Sequence, residues 1–291
     1  MTAATSSGHA VVGGRRRSRR LRVGRGRGLR HTAAGLLILA VFLFPIYWML
    51  NVSLQHASGA VATPWVPTHP SLHGYSKALH DQGAHLVTSL LISLGTVGFS
   101  LLIAAPAAYA LARFRIRGAG VVLLAVLISQ MIPGIVVANA LYSVYSSLGL
   151  LNSVWGLILA DSTLGIPFAM LILRAFMLTL PASIMDAAAV DGAGPVRIFW
   201  SIVLPMSRNA VITAALFSFL FAWGDFLFAL TLTTTDTVRP VTLGLYTYVG
   251  TFVSDWSSVM ATAVMASLPA VVLLVVAQRY VAAGTTAGAV K

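Results

Sequence analysis

With 291 residues, 58% of them hydrophobic and only 9% charged, and a mean hydropathy of +0.87, the chain falls among polytopic membrane proteins rather than soluble domains. Its net charge of +12 would suit nucleic acid if it covered a folded face. Most of the excess lies instead in one tail beside an apolar run, which points to anionic lipid and to no nucleic-acid partner.

Nine of the basic residues fall between Arg15 and Arg30, and residues 1–31 are expected to be a disordered cytoplasmic tail that sets topology. A span needs about 20 apolar residues, and six stretches qualify, near 33–54, 86–112, 120–147, 153–176, 209–232 and 257–282. Together with their connections they make residues 32–291 one all-α, six-span bundle. A signal peptide cleaved after Ala60-Val61-Ala62 is the competing reading of the first stretch. That run is long and ends in bulky Tyr47, Trp48 and Met49, which favours a retained span. Pro106, Pro133, Pro167 and Pro269 fall within spans, where neighbouring helices tolerate kinks.

The basic residues then alternate along the chain. Arg113, Arg115 and Arg117 follow the second span, Arg174, Arg197 and Arg208 flank the fourth connection, and Arg279 and Lys291 close the chain, whereas Lys77 and Arg239 alone fall in the other connections. Retention of basic loops on the inner side predicts a multi-pass protein with both termini in the cytoplasm. Between the first two spans lie His56, His69, His73, His80 and His85. Pro70 separates His69 from His73, so no regular helix carries both, and a solvated loop is expected there rather than a metal site.

Polar residues inside spans are candidates for a solute path, because charge is costly in lipid. Asp225, beside Trp223, whose flat ring suits a sugar, heads this set, with Asn139 and Asp161. A hydrogen bond to a neighbouring helix is the alternative for each. The absences also narrow the chemistry. Without Cys there is no thiol nucleophile or cysteine metal site. Without Glu there is no H-E-x-x-H helix. Neither lysine follows a glycine-rich phosphate loop, so no ATP site is encoded and any ATP and Mg²⁺ would be bound by a partner.

The most distinctive stretch is Pro181 to Pro205, PASIMDAAAVDGAGPVRIFWSIVLP, a small-residue interruption between apolar runs. Ser183 and Asp186 have capping-box spacing. Gly192 can leave a helix, Gly194 with Pro195 starts another, and Pro205 is expected to stop it. Asp186 and Asp191, five apart, are separated by about 140° around a helix and do not form an acid/base pair. Two short helices with a glycine corner are predicted, on the cytoplasmic side by the charge count alone.

The run Asp186-Ala187-Ala188-Ala189-Val190-Asp191-Gly192, nine further residues, then Ile202-Val203-Leu204-Pro205 resembles the EAA motif of permease subunits of bacterial ATP-binding-cassette importers. Asp186 stands where a Glu is usual. Ala108-Tyr-Ala-Leu-Ala-Arg-Phe-Arg115, Gln130-Met-Ile-Pro133, Phe221-Ala-Trp-Gly-Asp225 and the terminal Gly284 to Lys291 are similar to the maltose-type carbohydrate permeases, with Gly224 in place of a commoner Asn. The resemblance implies a subunit of a sugar importer in the bacterial inner membrane. Residues 177–208 would be the coupling loop, with Ser183, Asp186, Ala187, Ala188, Asp191, Gly192, Ala193, Ile202, Leu204 and Pro205 seated on a separate ATPase dimer. Gly288, Ala289, Val290 and Lys291 would touch the same ATPase. A second, homologous permease and an extracytoplasmic sugar-binding lipoprotein would complete the assembly. A non-sugar solute of the same importer class, an integral-membrane enzyme and a membrane scaffold remain as other readings.

Overall fold

The computed structural model describes residues 25–56, 64–251 and 255–286, and the chain divides into two compact units, residues 1–47 and 48–291. The first unit contributes the start of α1 (Arg25–Ser53), an apolar helix with Pro45 inside it. The second unit holds α2 (His73–Arg113), α3 (Ala119–Ser129), α4 (Gly134–Leu148), α5 (Val154–Met177), α6 (Ala182–Val190) and α7 (Pro195–Ile198). A π-helical turn over Phe199–Val203 leads into α8 (Leu204–Met206), followed by α9 (Arg208–Trp223), α10 (Leu227–Leu232), α11 (Val241–Thr251) and α12 (Trp256–Thr286). The described residues contain no strand.

Four helices are long and apolar enough to cross a membrane, and up to six spans result if each of two bent pairs is taken as one. The third expected span is not continuous. It breaks between α3 and α4 with a 96° bend, and Pro133 occupies the N-cap of α4 rather than its interior, because proline disfavours helical geometry in the residue before it. The second bent pair is Pro195–Met206 with α9, at 79°, and the fifth expected span is interrupted beyond it. α9 ends at Trp223, and α10 starts at Leu227 with its first amides held by the Asp225 carboxylate: Phe228 N donates at 3.2 Å and Ala229 N at 3.0 Å. α2 begins at His73, thirteen residues before the expected apolar span. Its polar first turns are folded because Gly74 lies against Ser257 and Ala78 and Gln82 are buried.

Contacts fix the helix directions. Gly95 of α2 faces Ile158 of α5, Ser100 faces Gly165, and Leu111 accepts from Arg174 Nε, so α2 and α5 run parallel. α12 runs with them, since Gly74 meets Ser257 and Val97 lies near Val276. α9 runs oppositely, with Trp223 donating to Ala266 and Ile212 beside Ala277. In lipid these contacts gain little from the hydrophobic effect and depend on close packing. Buried Ala104, Ala105, Ala108, Ala169, Ala210 and Ala214 supply the small surfaces that permit it. At Gly165 an added Cβ would lie 2.6 Å from Ser100 Oγ, so only glycine fits there without a shift.

The two ends of the bundle differ in charge. One end gathers Arg113, Arg115, Arg117, Arg174, Arg197 and Arg208 around the helix connections. The other holds Asp81, Asp236 and Asp255 with Lys77 and Arg239.

Candidate functional site

The arginine-rich end carries the short helices. Pro181 is the N-cap of α6, and Ser183 lies inside the helix rather than capping it. No side-chain cap bond forms, so the expected Ser183–Asp186 capping box is absent. The Asp186 carboxylate instead pairs with the Arg113 guanidinium at the end of α2, a partner 73 residues away. Helix α6 ends on Gly192 at φ 84°, the left-handed region that glycine tolerates. Gly192 N donates to Ala189 O and Ala193 N to Ala188 O, the paired bonds of a Schellman corner. Pro195 then opens α7 at its first turn, after Gly194 in extended geometry.

Pro205 does not end the second helix. The helical run continues to Met206, because the chain widens to a π turn ahead of the proline, where a regular helix would need the amide that Pro205 lacks.

Of the motif residues, Ala188, Ala193 and Leu204 pack inward on a core of Tyr109, Met177, Met185, Ile198, Phe199 and Val203, and Ile202 is half-buried. Ser183, Asp186, Ala187, Asp191, Gly192 and Pro205 are exposed. Their neighbours Val190, Val196 and Trp200 are 88%, 72% and 57% exposed, large apolar side chains left uncovered in the same arginine-rich stretch. Under α6 lies a cavity of about 120 Å³ lined by Tyr109, Arg113, Met177 and Met185 among others. Gly288, Ala289, Val290 and Lys291 lie outside the described residues, as do most of the basic tail and the Ala60-Val61-Ala62 segment.

The expected solute-path residues separate. Asp161 is buried on α5, within electrostatic reach of Asp225 and of Tyr145. Asp225, half-buried, spends its carboxylate on α10. The Trp223 ring is buried, stacks on Phe219 at 5.5 Å and donates 2.9 Å to Ala266 O, so it is occupied in joining α9 to α12. Asn139 is exposed on α4.

At the other end, Lys77 Nζ and Asp255 Oδ2 are 2.7 Å apart. Burial pushes the Asp255 carboxyl up, but hydrogen bonds from Lys77, Ser258 and Ser257 outweigh burial and hold it below the usual carboxylate range. Tyr248 of α11 donates to Asp81 of α2 at 3.2 Å. The expected histidine loop is in large part the start of α2, and among the described residues no three His, Cys, Asp or Glu side chains converge on a metal position.

The bundle thus combines membrane-length helices and broken spans with a Schellman-cornered helix pair at its basic end. Residues 86–286 match the family of binding-protein-dependent transport system inner membrane components, and the chain belongs to that family. It is 32% identical over 270 residues to the sulfoquinovosyl glycerol transport system permease protein SmoH of Agrobacterium fabrum, covering 91% of this chain and 94% of that protein. It is 31% identical to the trehalose transport system permease protein SugB of Mycobacterium tuberculosis, over 88% of this chain and 94% of that one. Identity is also 31% to the trehalose/maltose transport system permease protein MalG of Thermococcus litoralis, with coverage of 88% and 95%. Among solved structures, a chain of a bacterial ABC transporter involved in import of the acidic polysaccharide alginate superposes with a TM-score of 0.76 at 23% identity, over 89% of this chain and 98% of that one, a likeness of fold.

Proposed function

We propose that the chain is one of two permease halves of an ATP-driven importer for a sugar. The half couples to a separate ATPase dimer through α6 and receives its cargo from an extracytoplasmic sugar-binding lipoprotein. The observation that carries the coupling is the exposed apolar face of Val190, Val196 and Trp200 around the Gly192 corner, at the end where basic residues accumulate and therefore in the cytoplasm. The named relatives handle trehalose, maltose and a sulfosugar glycoside, which supports a sugar as cargo. ATP and Mg²⁺ reside on the ATPase. Closure of that dimer moves α6, and the Arg113–Asp186 pair and the packing of Met185 pass the movement to α2 and α5. Each state must bind its own ligand better for the switch to turn over. Asp161, Asp225 and Asn139 belong to the path in this reading, and Trp223 to the frame around it.

Purification from the native membrane in mild detergent, with identification of the accompanying chains by mass spectrometry, tests the reading. An ATPase, a second permease and a solute-binding lipoprotein are expected. Recovery of the chain alone, under conditions that preserve other membrane complexes, overturns it in favour of an enzyme or scaffold. A lipoprotein whose ligand is an amino acid or peptide overturns the sugar.

A further inference from the structure

The second half of the broken third span has a side that lipid cannot satisfy. At 100° per residue, Tyr142, Ser146, Asn139, Ser143 and Ser147 of α4 fall in that order within an arc of about 140°, which is polar from Asn139 onward and carries Ile135 and Val136 in its first turn, and all seven are exposed. Ala138 and Tyr145 lie on the buried side, packed with Ile158, Phe228 and Leu232. Ala140, Val144 and Leu148 make the remaining, apolar side and are also exposed. The contrast with α3 is direct: there the exposed residues include Val121, Val122, Leu124, Leu127 and Ile128.

Ser147 donates to its own helix at Val144 O. Asn139, Tyr142, Ser143 and Ser146 make no hydrogen bond among the described residues. Unpaired amide and hydroxyl groups on a helix of a membrane bundle need water, solute or another protein.

We propose that Asn139, Tyr142, Ser143 and Ser146 line the aqueous path and hydrogen-bond a neutral, polyhydroxylated solute as it passes. The inference rests on the importer reading and deepens it. Three features select the solute over a protein neighbour. The arc contains no charge, which suits a ligand whose polar groups are hydroxyls. Its four unpaired side chains offer both donors and acceptors over about 10 Å of helix rise, beside the flat ring of Tyr142. And the buried side of α4, which adjoins the arc at Tyr142, packs on α10, whose first amides are held by Asp225, while its Tyr145 lies within electrostatic reach of Asp161.

The chain has no cysteine, so single cysteines can be read directly in the intact complex. Asn139→Cys, Ser143→Cys and Ser146→Cys are compared with Ala140→Cys and Val144→Cys in membrane vesicles, using a small cationic methanethiosulfonate as the probe. Reaction at the first three positions at least ten-fold faster than at the other two, with loss of uptake on modification, is the expected result. Equal rates on both sides mean a helix lying in open water and overturn the proposal. So does slow reaction at 139, 143 and 146 with efficient bifunctional cross-linking to the second permease, which marks a subunit interface. Co-purification of the ATPase is scored in the same preparations. If the ATPase is present and the labelling pattern fails, the importer reading stands and this inference falls; if the ATPase is absent, the importer reading fails first.

Discussion

Asp186 and Arg113 lie on elements that the chain brings together only after more than seventy intervening residues. Their side chains are 61% and 33% exposed, so the pair contributes little to stability, about 0.5 kcal/mol, and its significance is directional: it fixes where α6 points relative to the end of α2. Arg113→Asp alone is expected to leave the amount of assembled complex nearly unchanged while cutting uptake several-fold. Combining it with Asp186→Arg should restore much of that loss, and no rescue would show that the pair does not act as a unit. Lys77 and Asp255 tie the other ends of α2 and α12 in a less exposed setting. Because the folded carboxyl lies below its usual range, the stabilisation is present above the unfolded value, near 4, and fades as pH falls through the lower folded value. Melting of the detergent-solubilised protein should therefore owe no change to this pair between about pH 5 and 8. Below about pH 4 the difference between wild type and Asp255→Asn should shrink, and a difference that widens on acidification contradicts the assignment.

The glycine corner of α6 requires its backbone geometry rather than space. Nothing lies within 4 Å of where a Gly192 Cβ would sit, yet φ is 84°, and a side chain there costs about 1 kcal/mol of local strain. Gly192→Val should insert and assemble but lose most transport, measured as uptake per assembled complex, since a β-branched residue pulls the corner open. Normal uptake would show that the corner does not transmit movement. This corner was readable in the sequence because it is local: Gly192, Gly194 and Pro195 each carry a backbone constraint within a few positions. The long spans were readable because twenty apolar residues have few alternatives. The breaks were not. Pro133 read as a tolerated kink inside a span, but the chain turned by 96° there, and the helix beyond Gly224 restarted on Asp225, a side-chain cap that no apolar window reveals. The capping box at Ser183 failed because the N-cap fell two residues earlier, at Pro181, and Arg113 claimed Asp186. A charged residue in the last turn of the second span was the only signal of that contact. The polar side of α4 was present in the sequence as the spacing of 139, 142, 143 and 146, but within a presumed continuous span it was seen only at Asn139.

The parallel run of α2, α5 and α12 against the opposed α9 gives the molecule two unlike ends, and the orientation follows from their charge. In the orientation proposed above, the end bearing Arg113, Arg115, Arg117, Arg174, Arg197 and Arg208 lies inside, by the bias against moving basic loops across the membrane. The end bearing Asp81, Asp236 and Asp255 would then face out; there the Asn152 side chain accepts from the Thr234 and Thr235 amides and donates to the Thr234 hydroxyl, closing the bundle. On that assignment the binding protein and the ATPase meet opposite ends of the same long helices, and α2 at 41 residues spans about 60 Å, roughly twice the hydrocarbon thickness. A push at Arg113 therefore reaches Lys77 along one continuous element. In a chain without native cysteines, Thr237→Cys should react with a membrane-impermeant maleimide added to intact cells, and Asp191→Cys should react only after permeabilisation. The reverse pattern would invert the molecule, place the Gly192 corner outside, and remove the physical basis for coupling to a cytoplasmic ATPase.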